Sequence, residues 1–289
     1  MAAVVVVAAA AAVALVAHSR QETNSRRHAL AEARAEAAAR AEAARTAAAA
    51  RVQANVSAAA AWISVQVGPR VLIGCDPASC SALVAAGRSP RYDAVLRPGG
   101  ALPAVGSLVV ATPAVRADFR QAVGGLAGQA PAKIIWFGTG ADAVTVREIV
   151  RGGTVAYDHA AARARAARRA AGKSLLRGGL HGSGAATARK AAATELAAGL
   201  VDPRLITVLS HLAARYSVRI VRFADGGPRT AAPFREAEIA VPRARTAELA
   251  RMEKLLRGQP AGYRARMTTT QLPDGQSGLE IRFPAPSPL

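Results

Sequence analysis

Every position from residue 2 to residue 17 is Ala, Val or Leu, and a polar run over residues 18–24 closes the stretch. As a helix it measures about 24 Å at about 1.5 Å per residue, against a hydrocarbon core of about 30 Å. Local bilayer thinning, with the polar residues at the interface, accommodates such a deficit. The pattern predicts that residues 1–20 are a transmembrane anchor or an uncleaved signal. Ala17-His18-Ser19 offers a small-x-small cleavage site, although no basic residue precedes the apolar run. The competing reading is the Ala-rich start of a soluble helix.

Residues 21–67 contain no Gly or Pro, and Gly68-Pro69 then stops the pattern. Ala, Glu and Arg favour helix, and Glu36 with Arg40 and Glu42 with Arg45 have the spacing of helical ion pairs. One helical stalk of about 70 Å is predicted over 21–67. Without a Leu or Ile seam it is no coiled coil. It becomes amphipathic only at Val52, Val56, Trp62, Ile63 and Val67, which predicts that this end docks on a folded body.

Beyond Gly68 the apolar period shortens. Strands are predicted at 70–74, 92–96, 108–111 and 133–137, with helices at 79–86 and 113–123; Asp76-Pro77 supplies an N-cap and a first helical residue. This alternation predicts an α/β domain over 68–155 with an open, largely parallel sheet. Helices are predicted next at 157–177, 185–198 and 203–216. Strands at 217–223, 237–241, 265–271 and 278–283 follow, with a helix at 246–257 and a hairpin signal at Pro273-Asp274-Gly275. The expectation is a small α+β domain over 156–283 and a disordered Pro-rich tail over 284–289.

Charge adds a partner class. Of 289 residues, 38 are Lys or Arg and 19 are Asp or Glu, a net +19. The balance is 15 basic against 9 acidic residues up to residue 150 and 23 against 10 after it. Such a chain attracts anionic lipid, anionic wall polymer or nucleic acid. Lys133, Lys173, Lys190 and Lys254 are its lysines; Arg in an Ala-rich background is what GC-rich coding produces, so part of the charge is compositional. Arg163, Arg165, Arg168, Arg169, Lys173 and Arg177 form the densest run and the candidate surface for an anionic partner. With aromatics at 4% and no helix-turn-helix pattern, specific nucleic-acid recognition is disfavoured.

The cysteines are Cys75 and Cys80, at a strand end and in a first helical turn, within reach of a short-loop disulfide. The spacing is not C-x-x-C, and no His cluster completes a zinc set. Three readings stand: structural disulfide, buried thiols, or redox chemistry. A disulfide would suit an oxidising compartment. Arg20, Arg26 and Arg27 behind the apolar run argue the opposite orientation by the positive-inside rule. The body is expected outside, with an upstream start codon as one source of the missing basic residues.

Motif chemistry is sparse. Gly138-Thr139-Gly140-Ala141-Asp142-Ala143 fits a relaxed dinucleotide loop, but the β-branched residues after it make it a turn between strands. Gly172-Lys173-Ser174 fails the Walker pattern because Ala167 stands where Gly is needed. Gly179-Leu180-His181-Gly182-Ser183-Gly184 misses G-x-S-x-G by one position and reads as a loop. His18, His28, His159, His181 and His211 lack metal-ligand spacing, so no metal and no cofactor is expected. Asp76, Ser79 and Asp225, at strand ends where open α/β sheets bind ligands, are the nearest candidates for a ligand site.

With Cys75-Asp76-Pro77 through Cys80, Val201-Asp202-Pro203-Arg204-Leu205-Ile206 and Ile220-Val221-Arg222-Phe223-Ala224-Asp225-Gly226-Gly227, residues 60–283 resemble an uncharacterised group of actinobacterial membrane-anchored proteins. That resemblance implies an extracytoplasmic body and no particular activity. Asp202 through Phe234-Arg235-Glu236-Ala237-Glu238-Ile239 is also similar to part of the D-Ala-D-Ala carboxypeptidase-like zinc domains. The metal-binding His and Asp of those domains are absent, which implies at most a non-catalytic relative. The sequence thus favours a non-catalytic, membrane-anchored binding or structural component of the cell envelope. An envelope hydrolase or nucleotide-using enzyme is the alternative, and a cytoplasmic nucleic-acid-binding protein the third reading.

Overall fold

The structure is a computed structural model that describes residues 2–120, 125–179, 187–188, 190–224, 232–241, 246–272 and 275–287. The chain divides into two compact units, Met1–Arg51 and Val52–Leu289. A single helix, α1 (Ala2–Gln66), runs through that division. In the first unit residues 26–47 are exposed, and the pairs Arg40–Glu36 (2.9 Å) and Arg45–Glu42 (2.6 Å) lie in full solvent. The side chains of residues 2–17, on which the predicted anchor rests, lie outside the described residues. Among the described residues no helix is long and apolar enough to cross a membrane.

In the second unit the amphipathic end of α1, with Val67 just after it, buries Val56, Ala59, Ile63 and Val67 against the first sheet. That sheet has the order β2-β1-β3-β5-β4, made of β1 (Ile73–Cys75), β2 (Asp93–Val95), β3 (Leu108–Ala111), β4 (Ala132–Phe137) and β5 (Val144–Glu148). The helices α2 (Pro77–Ala85), α3 (Pro113–Asp118) and α4 (Gly125–Gln129) connect them.

The sheet is α/β, but mixed instead of largely parallel. β2, β1 and β3 are parallel, while β5 pairs antiparallel with both β3 and β4. The cause is connection length. A parallel neighbour needs a crossover of a dozen or more residues, and only the turn at residues 138–143 separates β4 from β5. Gly138 opens that turn at φ 72°, and a Cβ there would collide with the Asn55 side chain. Asn55 itself donates from Nδ2 to the Asp142 carbonyl at 2.9 Å.

Alternate side chains put the sheet's two faces into different cores. Ile73, Cys75, Leu108, Val110, Val144 and Val146 pack with α1 and α2. Val109 and Ala111 pack with Val115 of α3, Phe119 and Leu126 of α4. Cys75 and Cys80 form a disulfide with Cα atoms 5.3 Å apart, tying β1 to α2 within the first of these cores. Arg88, with Asp93 at 3.7 Å, is an almost fully buried ion pair beneath β2; Arg88 also donates to the carbonyls of Val71 and Gly68.

After β5 come α5 (Gly153–Ser174), β6 (Thr187–Ala188), α6 (Lys190–Ala197), α7 (Pro203–Ala213), β7 (Arg219–Ala224), β8 (Glu236–Ala240), α8 (Thr246–Arg257), β9 (Arg266–Gln271) and β10 (Ser277–Arg282). The helix predicted at 185–198 begins only at Lys190, because Thr187 and Ala188 pair in parallel with β7. The second sheet has the order β6-β7-β8-β10-β9 and is antiparallel from β7 onward. One of its faces carries Ile220, Ile239, Leu279 and Ile281 into a core with Leu205, Leu209 and Leu212 of α7 and Met252 of α8. The other holds a charge ladder: Arg222–Glu238 at 2.5 Å, Arg282–Glu236 at 2.7 Å and Arg282–Glu280 at 2.7 Å. Gly172 in α5 permits close approach of α6, since a Cβ there would meet the Leu196 carbonyl.

The C-terminal stretch read from the sequence as a disordered tail is docked as far as residue 287. Ala285 is buried, bridges Val67 and donates its N–H to the Gln66 carbonyl at 2.7 Å. Pro284 and Pro286 offer carbonyls to the Arg204 guanidinium at 3.0 and 3.3 Å. A Pro-rich segment has few N–H donors of its own, so an arginine satisfies its carbonyls.

Candidate functional site

The sequence candidates fall at the C-terminal ends of β1 and β3. α2 and α3, which follow these two strands, lie on opposite faces of the sheet, so the strand order reverses here, the position where open α/β sheets commonly bind ligands. In this chain the two helix starts at this position are linked by hydrogen bonds. Asp76 caps α2 by accepting from the Ser79 N–H at 2.8 Å, and its second oxygen accepts from Thr112 Oγ1 at 2.5 Å. Thr112 in turn caps α3, accepting from the Val115 N–H at 3.2 Å. Both Asp76 oxygens are therefore engaged in holding two helix starts together. Ser79 is 1% exposed, with no partner for its hydroxyl. Asp225 and the loop with His181 and Ser183 lie outside the described residues.

The cationic run, on α5 and just past its end, is exposed at Arg163, Arg165, Arg169, Lys173 and Arg177. Arg168 is half-buried, donates to the Gly199 carbonyl at 3.1 Å, and burial lowers its pKa while Asp202 partly restores it. Arg165 leans on the Ala198 carbonyl at 3.4 Å. Part of the run thus fastens α5 to the end of α6. His211, on α7, faces solvent. Among the described residues no group of His, Cys, Asp and Glu converges that could hold a metal ion.

The structure raises a different position, Glu148 at the end of β5. Two cavities share Glu148, Tyr157 and Ser287 in their walls. The larger, of about 690 Å³, is bounded also by Arg151, Arg204 and Tyr263; the smaller, of about 380 Å³, by Arg165 and Arg168. Val144, Val146 and Glu148 follow one parity of the strand, so Glu148 points where its neighbours bury apolar side chains. Desolvation there raises its carboxyl from 4.5 to about 7. Tyr157 is raised by burial and, secondarily, by the negative charges of Glu148 and Asp158. Arg204 brings no free charge to the cleft, because it grips the fully buried Asp202 through contacts of 3.0 and 2.8 Å. Ser287 Oγ is buried without a partner.

A carboxyl that titrates near neutrality inside a cleft can give or take a proton, or act as a neutral hydrogen-bond donor. The sequence signal for it was a single acidic residue on the apolar parity of a β-branched strand, Val144-Thr145-Val146-Arg147-Glu148. That signal says nothing of the cleft, whose walls come from α5, α7 and the C-terminal segment. No family model, no curated protein and no solved structure matches this chain.

Proposed function

We propose that this chain is a non-catalytic, membrane-anchored component of the cell envelope, with its folded part outside the cytoplasmic membrane, where it binds an anionic partner or serves as structure. The observation that carries this reading is the buried Cys75–Cys80 disulfide, since such bonds persist in oxidising compartments and are rare in the cytosol. The apolar residues 2–17 and the uninterrupted helix after them agree with an anchor and a stalk. The exposed arginines of α5 give anionic lipid or wall polymer a surface to meet. Asp76, the carboxylate that the sequence offered as a ligand-binding candidate, has a structural task in joining two helix caps.

Two measurements on the native host test it. Alkylation mass spectrometry, with thiols blocked before and after reduction, is expected to find Cys75 and Cys80 oxidised; two free thiols would return the body to the cytoplasm and reopen nucleic-acid binding. Fractionation is expected to leave the full-length protein in the membrane pellet, and recovery in the soluble fraction at any salt concentration sinks the anchor.

One observation favours a second reading, an envelope hydrolase or nucleotide-using enzyme: Glu148, raised by burial to about 7 beside the larger of the two cavities it lines, is suited to general acid–base work. A thermal-shift ligand screen separates the two. A small molecule that stabilises the protein, and loses its effect in Glu148→Gln, would select the enzyme.

A further inference from the structure

The first sheet carries a second cluster, on the face away from Ile63 and the disulfide. A bulge in β4 between Lys133 and Ile135 breaks the alternation of that strand. Ile134, Ile135 and Phe137 then enter the core, and Lys133 and Trp136 share the opposite face. Across the ladder Lys133 sits against Arg147 and Trp136 against Thr145. Arg116 comes in from the last turn of α3, and these five side chains line a cavity of about 550 Å³ together with the turn at residues 138–143.

The two guanidinium groups are held in place by groups that carry no charge. Arg116 donates from Nη1 to the carbonyls of Ala111 (3.0 Å) and Ala143 (2.6 Å), and from Nη2 to that of Ala141 (2.7 Å). Arg147 donates from Nε to Ala130 (2.6 Å) and from Nη2 to Pro131 (3.1 Å), which leaves its Nη1 edge uncommitted. Among the described residues Arg116, Lys133 and Arg147 make no ion pair, and no Asp or Glu lines the cavity. Like charges directly opposite on a sheet repel, and burial lowers both arginines, with Arg116 lowering Arg147 further. Thr145, only 8% exposed, is in the wall of the same cavity, and its Oγ1 is buried without a partner. Two fixed guanidinium groups and the Lys133 ammonium, with no carboxylate in the cavity wall, beside an orphaned hydroxyl are complementary to an acceptor with several oxygens and more than one negative charge. A phosphomonoester or pyrophosphate has that form, with about −1.5 to −2 of charge and three acceptor oxygens on the terminal group. A carboxylate, with one charge and two oxygens, leaves the trio under-neutralised. Trp136, whose ring lies 4.9 Å from Lys133 Nζ, gives the remainder of the ligand an apolar wall.

We propose that Arg116, Lys133 and Arg147, with Thr145 and Trp136, form a binding site for a phosphate-bearing ligand on this face of the first sheet. Lys133 also borders the smaller of the two Glu148 cavities, with Arg165 and Arg168 of α5, and the proposal is independent of where the chain resides. The probes are inorganic pyrophosphate and monomeric dihexanoyl-phosphatidic acid, whose headgroup is a phosphomonoester, titrated onto the full-length protein in nonionic detergent and followed by tryptophan fluorescence. The other tryptophan, Trp62, is buried in the core, so Trp136→Phe assigns the signal. A saturable response to at least one probe is expected: to pyrophosphate for a soluble phosphate ester, to the lipid for a headgroup. Lys133→Gln is expected to weaken it at least about tenfold, the scale of one charge-assisted hydrogen bond, and Thr145→Val by a smaller factor. Lys254→Gln, at an exposed position of α8, leaves it unchanged. Arg147→Gln also frees the Ala130 and Pro131 carbonyls, so the exposed Lys133, which has no structural bond, is the decisive variant. No response to either probe, or a response equal in Lys133→Gln and wild type, overturns the proposal.

Discussion

Burial alone moves the Glu148 carboxyl from 4.5 to about 7, and that has a consequence for stability. Between these values the folded protein holds a proton that the unfolded chain has released, so stability falls as pH rises from about 4.5 through 7 and the penalty is complete above it. Each pKa unit is worth about 1.4 kcal/mol. Partial exposure to the cleft reduces the full effect, leaving about 1–3 kcal/mol. Thermal unfolding of the wild type between pH 5 and pH 8 is expected to show this decline, and Glu148→Gln to flatten it and to be the more stable form at pH 8. A Glu148→Gln profile parallel to the wild type would place the titration elsewhere. Asp76 is the opposite case: the sequence marked it as a cap and as a ligand candidate, and the Thr112 hydroxyl, 36 residues away, turned it into a bridge between caps.

At the level of elements, local signals were strong where one helix end or one turn decided the outcome. Asp76-Pro77, Asp202-Pro203 and Gly275 each mark the boundary they occupy. Strand faces were less legible, because period-2 alternation puts Lys133, Ile135 and Phe137 together and Trp136 on the other side. The β4 bulge exchanges those memberships, and a bulge is an agreement between two strands that neither strand announces alone. β7 repeats the device between Ile220 and Arg222, which sends Arg222 to Glu238 and keeps Phe223 in the core. The disulfide closes a loop of sequence separation 5 between β1 and α2. For so short a loop the chain-entropy model gives about 2 kcal/mol. Chemical denaturation with and without reductant is expected to differ by about that amount, and Cys75→Ser with Cys80→Ser to match the reduced protein. An equal midpoint in both conditions would mean that the bond is absent.

At the scale of the whole molecule, the boundary of the folded unit differs from the one the sequence suggests. Composition draws it at Gly68, where Gly and Pro first interrupt the helix; packing draws it at Val52, because Val56, Ala59, Trp62, Ile63 and Val67 belong to the core of the first sheet. Burying one large apolar side chain is worth about 1.5–3 kcal/mol, and a domain's total stability is about 5–15 kcal/mol, so this segment decides whether the unit folds. A chain beginning at Val52 is expected to unfold cooperatively at the midpoint of the full-length protein, and one beginning at Gly68 to lack a cooperative transition by circular dichroism. The sequence by itself determined the long helix, the alternation of strand and helix, the caps, and the closeness of Cys75 to Cys80, since each rests on residues within a few positions of one another. Only the tertiary structure decided the antiparallel insertion of β5, the docking of Ala285 on Val67, the cleft around Glu148 and the convergence of Arg116, Lys133 and Arg147. Those depend on register and packing between segments far apart in the chain, and no local pattern encodes the partner.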